Sequence, residues 1–276
     1  MLHDAKLSRS GRALRVQHHY FELDGVFEGP SSEGGVRRAI TDPLLRRFFG
    51  ARKDSALLLF GQTGTGKTFT LRETLGRVVR VFDGERVELR FLELAGKKAC
   101  RDLLNAGAPV KVLSDADETV HFVGAASVEA TTAADLRRAL DAGLELRSSE
   151  RTERNDASSR SHAVVELRRR GATFLVVDLA GSERKWETMA MRTRAANRES
   201  ADINLSLMAL KDCFRAQHDR LTHPGKKRKT RVPYRASTLT RVLRKCFEAD
   251  DARESVAGSE KGDGVSPFSL ERGSSW

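Results

Sequence analysis

Gly61-Gln62-Thr63-Gly64-Thr65-Gly66-Lys67-Thr68 decides the reading of this chain. The stretch matches G-x-x-x-x-G-K-[ST] at every fixed position. Its context matches too: the apolar run Ala56-Leu57-Leu58-Leu59-Phe60, suited to a strand buried on both sides, precedes it, and a helix-compatible segment at 69–79 follows. Gly64 and Gly66 free the backbone to point successive N–H groups inward at phosphate oxygens. A helix opening directly after the loop aims its positive end at the same spot. In such a loop Lys67 reaches the β- and γ-phosphates, and the Thr68 hydroxyl takes a place on Mg²⁺. Gly61, Gln62, Thr63, Gly64, Thr65, Gly66, Lys67 and Thr68 are therefore the candidate nucleotide-binding set. With Gly near 7% of residues, a chance match in a chain of this length is on the order of one in a hundred.

Working outward, residues 18–24 read as a short edge strand closed by the turn signals Gly25, Gly29 and Pro30. A helix is predicted over 36–49, with Ile40, Leu44 and Phe48 on one face. Residues 87–94 alternate apolar and polar and predict a strand with one wet face. Thr132 and Asp135 make a capping pair for a helix that carries Leu136, Leu140 and Leu144. Strands are predicted at 163–167 and 174–177, joined through Arg168-Arg169-Arg170-Gly171. Ile203, Leu207, Leu210 and Phe214 form the stripe of a further helix. The alternation predicts an α/β fold with a mostly parallel central sheet and helices on both faces.

Hydrolysis needs more than a cradle: a second support for the metal, a positioned water and a group that balances developing charge. Phe174-Leu175-Val176-Val177-Asp178 is an apolar strand ending in an acid, placed to hold the metal's water shell, and Gly181 behind it can offer its N–H to the γ-phosphate. Asn155-Asp156-Ala157-Ser158-Ser159-Arg160-Ser161-His162 is a second polar loop, whose hydroxyls suit metal or water and whose arginine suits an acid. Each alone is a weak signal, since a strand-terminal Asp is often a helix cap and a Ser/Arg loop a plain turn.

Together these stretches resemble the kinesin motor domain. The phosphate loop, Asn155-x-x-Ser158-Ser159-Arg160-Ser161-His162, Asp178-Leu179-Ala180-Gly181-Ser182-Glu183, Asn204-x-Ser206-Leu207-x-x-Leu210 and Val232-Pro233-Tyr234-Arg235-x-Ser237-x-Leu239-Thr240 stand in that family's order, within about residues 21–247. The resemblance implies an ATP-hydrolysing, Mg²⁺-dependent fold of the P-loop NTPase class working on microtubules. It implies Thr68, Ser159 and Asp178 around Mg²⁺, a salt bridge between Arg160 and Glu183 that closes two switch loops, and Asn155, Ser158 and Gly181 at the attacking water or γ-phosphate. It divides the chain into a basic segment at 1–17, a partial motor domain at 18–247 and a disordered tail at 248–276. The family's opening Arg-x-Arg-Pro strand and its closing strand and helix have no counterpart here, so the first and last core strands are expected to be missing. The wording at 210–216 and 234–237 is similar to the internal-motor, microtubule-depolymerising branch, although residues 6–16 lack that branch's Lys-Val-Asp triplet.

Charge agrees with a filament partner. Of the net +11, nine units lie in residues 221–247, which hold no Asp or Glu, leaving +2 for the rest of the chain. Such focusing steers association with an anionic surface. On the family's pattern Lys226, Lys227, Arg228, Lys229, Arg231, Arg235 and Arg241 face acidic tubulin, with Arg184, Lys185, Arg192, Arg194 and Arg198 adding to the patch. Cys100, Cys213 and Cys246 are too few and too scattered for a disulfide framework, which suits a reducing compartment. No apolar run approaches the ~18–20 residues that span a bilayer. The expectation is a cytoplasmic, cytoskeletal protein with neither membrane nor nucleic acid as partner, its oligomeric state open.

Overall fold

Period-two alternation builds the centre of the molecule. The structure, a computed structural model, describes residues 2–6, 15–19, 23–27, 32–96, 99–116, 119–153, 161–182, 194–223 and 231–247. Strand β10 (Ser161–Arg169) turns Ala163, Val165 and Leu167 to one side and Val164 to the other. Its neighbour β11 (Ala172–Asp178) turns Ala172, Phe174 and Val176 to the first side, Leu175 and Val177 to the second. Two apolar faces demand two covering layers. The first is covered by residues 32–50, by α3 (Lys67–Val81) and by α4 (Ala133–Glu153). The second is covered by α5 (Arg194–Thr222) and α6 (Thr238–Val242).

Among the described residues the central sheet has seven strands. Their order is β3 (Ser55–Leu59), β11, β10, β4 (Val87–Ala95), β5 (Ala99–Asp102) and β6 (Ala108–Pro109), with β9 (Val128–Ala130) also pairing with β4. Two hairpins stand apart, β1–β2 (Leu2–Lys6 and Arg15–His19) and β7–β8 (Lys111–Ser114 and Val120–Val123).

The α/β class holds, but the sheet is mixed rather than mostly parallel. Among the described strands only β3 and β11 run parallel, Leu59 opposite Asp178. The reason is local: Arg170 and Gly171 take left-handed φ values of 46° and 85°, so β10 turns straight back into β11 as a hairpin. No crossover helix intervenes, and a two-residue link cannot join parallel strands.

Three element-level expectations also shift. The wet face of β4 is confined to its first half: Glu88 and Arg90 are half-buried, Arg90 donating to Glu166 Oε2 on β10 (2.9 Å), while Leu92 and Leu94 are buried on the same face and Glu93 on the other bonds Ser161. Of the strand foreseen at 18–24, residues 18–19 belong to β2 (Arg15–His19), whose register β1 sets, residues 23–24 are not in a strand, and 20–22 lie outside the described residues; Leu23, Val26 and Phe27 are exposed. Helical structure starts at α1 (Ser32–Val36) and passes through a π turn (Arg37–Thr41), α2 (Asp42–Leu45) and a second π turn (Arg46–Gly50). A π turn rotates the residues it contains relative to a plain helix. Ile40 is accordingly exposed, although Phe48 is fully buried. The Thr132 cap forms as read, its Oγ1 accepting the Asp135 amide at 3.1 Å, and Leu136, Leu140 and Leu144 are buried on α4.

Candidate nucleotide site

Strand β3 delivers the chain into the loop 61–66, and α3 takes it up at Lys67. Gly64 and Gly66 have φ of 82° and 88°, the left-handed region that a side chain resists. A Cβ at either glycine would meet no atom within 4 Å, so the backbone angle rather than crowding requires glycine there. Lys67 Nζ reaches back across the loop to the carbonyls of Gly61 (2.8 Å) and Gln62 (2.6 Å). Thr65 Oγ1 donates to Gln62 O at 2.8 Å and closes the turn.

Parallel pairing of β3 with β11 brings the second motif beside the first. The ladder runs on past the strand ends, with the Leu179 amide donating to Leu59 O (3.1 Å) and the Ser182 amide to Gly61 O (3.2 Å). Thr68 Oγ1 consequently donates to Asp178 Oδ2 at 2.8 Å, across 110 positions of sequence. Asp178 is 1% exposed, and its Oδ1 has no hydrogen-bond partner among the described residues. Gly181 is buried two peptide units beyond Ala180's neighbour Leu179. Lys67, Thr68, Asp178 and Gly181 thus lie around the same loop. Asn155, Ser158, Ser159, Arg160 and Glu183 lie outside the described residues, as do Lys226, Lys227, Arg228 and Lys229. Of the remaining filament-face set, Arg231 and Arg235 are exposed. Arg241 is half-buried, its guanidinium donating to Val112 O and Thr238 Oγ1, both at 3.3 Å.

Two residues enter the site that carried no role in the sequence reading. Arg147, buried on α4, donates from Nη1 to Asp178 Oδ2 at 2.7 Å. His162, 3% exposed at the start of β10, accepts the Ala180 amide on Nδ1 (3.0 Å) and meets Ser206 Oγ through Nε2 (2.9 Å). Burial pushes the His162 ring down to about pKa 4, the Arg147 charge adds to this, and Asp178 partly opposes it. The thiols of Cys100 and Cys213 are pushed up to about 12, mainly by burial, so neither serves as a thiolate nucleophile.

A glycine cradle between a buried strand and a helix, its hydroxyl bonded to the acid of a parallel neighbour strand, defines a P-loop nucleotide-binding protein of the α/β class. The chain belongs to the kinesin motor domain family, whose model matches residues 3–256. It is 34% identical over 283 residues to diatom spindle kinesin-1 of Cylindrotheca fusiformis, covering 98% of this chain and 44% of that protein. The chain thus spans less than half the length of this relative. The motor and motor homology domain of Kar3Vik1 superposes with a TM-score of 0.64 at 25% identity, covering 89% of this chain and 66% of that one. A structure described as a fast kinesin gives a TM-score of 0.59 at 23% identity, over 77% of this chain and 66% of the other, a likeness of fold.

Proposed function

We propose that this chain binds MgATP between the 61–68 loop and the end of β11, hydrolyses it, and couples that cycle to its hold on microtubules. The observation that carries the reading is the Thr68–Asp178 bond, with Asp178 Oδ1 left open beside it. Two hard oxygen donors at this spot fit magnesium, which favours carboxylate, hydroxyl and phosphate oxygens. When bound, that ion supplies charge neutralisation on the β- and γ-phosphate oxygens.

The chain's own groups supply the rest. Amides of residues 62–68 and the N-terminus of α3 receive the phosphates, and the Lys67 ammonium moves from the Gly61 and Gln62 carbonyls to the oxygens on which negative charge accumulates. Gly181 presents its amide to the γ-phosphate. Asn155 and Ser158 orient the water, and Thr68, Ser159 and Asp178 hold the metal's shell. Arg160 and Glu183 pair when both loops close, an order–disorder switch read by the γ-phosphate. Residues 221–247 supply the cationic surface for tubulin, and Arg231 and Arg235 are already exposed within it. Among the described residues no helix is long and apolar enough to cross a membrane.

Steady-state ATP turnover with and without microtubules tests the reading. Stimulation by microtubules supports it. Binding without turnover leaves a filament-gripping module, and stimulation by DNA or RNA alone replaces it with a nucleic-acid enzyme.

A further inference from the structure

His162 is a buried side chain that the proposed nucleotide chemistry leaves unused. Its hydrogen bonds admit one proton arrangement. A backbone amide only donates, so Nδ1, which accepts from Ala180, carries no proton. The neutral ring then holds its proton on Nε2 and donates to Ser206 Oγ, and the Ser206 hydroxyl proton goes on to Ile203 O at 2.7 Å. The result is one continuous buried chain of bonds, from Ala180 through the imidazole and Ser206 to the backbone of α5.

What this chain connects matters more than its strength. Ala180 stands between Asp178, the last residue of β11, and Gly181, the two residues to which the motor reading gives the metal shell and the γ-phosphate. Ser206 and Ile203 lie on α5, the helix that leads into the basic segment 221–247. His162 itself ends the 155–162 motif, and its neighbour Ser161 is pinned by a 2.5 Å bond to buried Glu93. One rigid ring therefore touches all three motifs. Its surroundings offer no slack: Ala180 is fully buried, and Ser206 is 5% exposed. In packing this tight, a small displacement at one contact is passed to the next rather than absorbed.

We infer that His162 is a positioning residue that links the γ-phosphate loop to α5, the helix leading into the proposed filament face, so that a shift of Ala180 moves α5 through Ser206. The inference rests on the motor reading above. Deleting the ring predicts a chain that still binds nucleotide and still binds filament, with each indifferent to the other.

The test uses the chain as it is and reads a ratio: microtubule co-sedimentation affinity with a non-hydrolysable ATP analogue over that with ADP. Loss of fold quality lowers both affinities together and leaves the ratio, whereas loss of coupling collapses it. The parent is expected to show a ratio away from one by about fivefold or more. His162→Ala brings it close to one, and His162→Gln, which keeps an acceptor and a donor, restores part of it. A melting curve checks folding. If His162→Ala does not fold, Ser206→Ala, which cuts only the α5 end of the bridge, decides in its place. A folded His162→Ala, or failing that a Ser206→Ala, with the parent's ratio overturns the inference, as does a His162→Gln no better than alanine. A parent ratio of one sinks the motor reading itself, and this inference with it, before any variant is made.

Discussion

Arg147 Nη1 lies 2.7 Å from Asp178 Oδ2, with the two side chains 4% and 2% exposed. The same Oδ2 accepts the Thr68 hydroxyl, so a helix on one face of the sheet holds the acid that serves the phosphate loop. A carboxylate this deep needs a counter-charge, because desolvation of a lone ion costs several kcal/mol. Arg147→Ala should therefore destabilise the fold by about 3–5 kcal/mol, the range for removing one partner of a buried pair. Replacing both, as Arg147→Met with Asp178→Asn, should recover most of that loss while abolishing turnover. Urea denaturation of the two variants checks it; a loss below about 1 kcal/mol for Arg147→Ala would mean that the pair is solvated in solution.

The cradle and its acid were legible because each is a local pattern: a glycine spacing, and an apolar run ending in Asp. Arg147 was not, since an arginine is ordinarily solvent-exposed unless it has a charged partner, and its partner lies 31 positions away on β11. Its position did carry a signal, being three residues past Leu144 on the stripe through Leu136 and Leu140. An arginine on an apolar stripe points to a buried acid. Arg169 went unread for a similar reason. In an Arg-Arg-Arg-Gly turn it looks solvated, yet it is 4% exposed, paired with Asp83 and Glu85, its guanidinium 5.2 Å from the centre of the Phe49 ring. Partners more than 80 positions away leave no trace in a local window. Strand direction was lost differently: alternating elements suggest crossovers, and only the left-handed pair Arg170-Gly171 marked β10–β11 as a hairpin.

Lys67 tests the site without touching the core. Its ammonium bonds two carbonyls of its own loop, and Lys67 belongs to neither hydrophobic core cluster. The melting temperature should stay within a few degrees, about what 1 kcal/mol commands in a domain this large. Turnover should fall by about 100-fold or more, the scale of losing one preorganised charge at a developing anion. Measured by phosphate release, retention of more than a tenth of the parent rate would place the chemistry elsewhere.

Gly143 and Gly76 make a matched pair. Both sit inside helices, where alanine is intrinsically better by about 1 kcal/mol. A Cβ at Gly143 would clash with the ring of Phe91 at Cδ1, and Phe91 is fully buried on β4 with nowhere to retreat. Overpacking costs about 1–3 kcal/mol and outweighs the propensity gain, so Gly143→Ala should be a net loss. At Gly76 the nearest atom would be the end of the Arg80 side chain at 3.8 Å. Gly76→Ala should therefore stabilise by up to about 1 kcal/mol. Equal shifts of the same sign in thermal melts would show that α4 stands further from the sheet than described.

His162 also predicts a pH dependence whose sign is fixed by its environment. The ring titrates near 6.5 when unfolded and is pushed down to about 4 in the fold, chiefly by burial and then by Arg147, with Asp178 opposing. Above pH 6.5 neither state binds the proton and the residue contributes no slope. As pH falls from 6.5 towards 4 the unfolded chain takes up a proton that the native ring refuses, so stability declines, by up to about 3 kcal/mol in all. Below about 4 both states are protonated and this contribution levels off. The contribution of this ring is isolated by difference. His162→Gln should be flatter than the parent between pH 6.5 and 4 and parallel to it above 7. Parallel curves throughout would mean that the ring is hydrated in solution, and that the bond chain from Ala180 to α5 does not persist there.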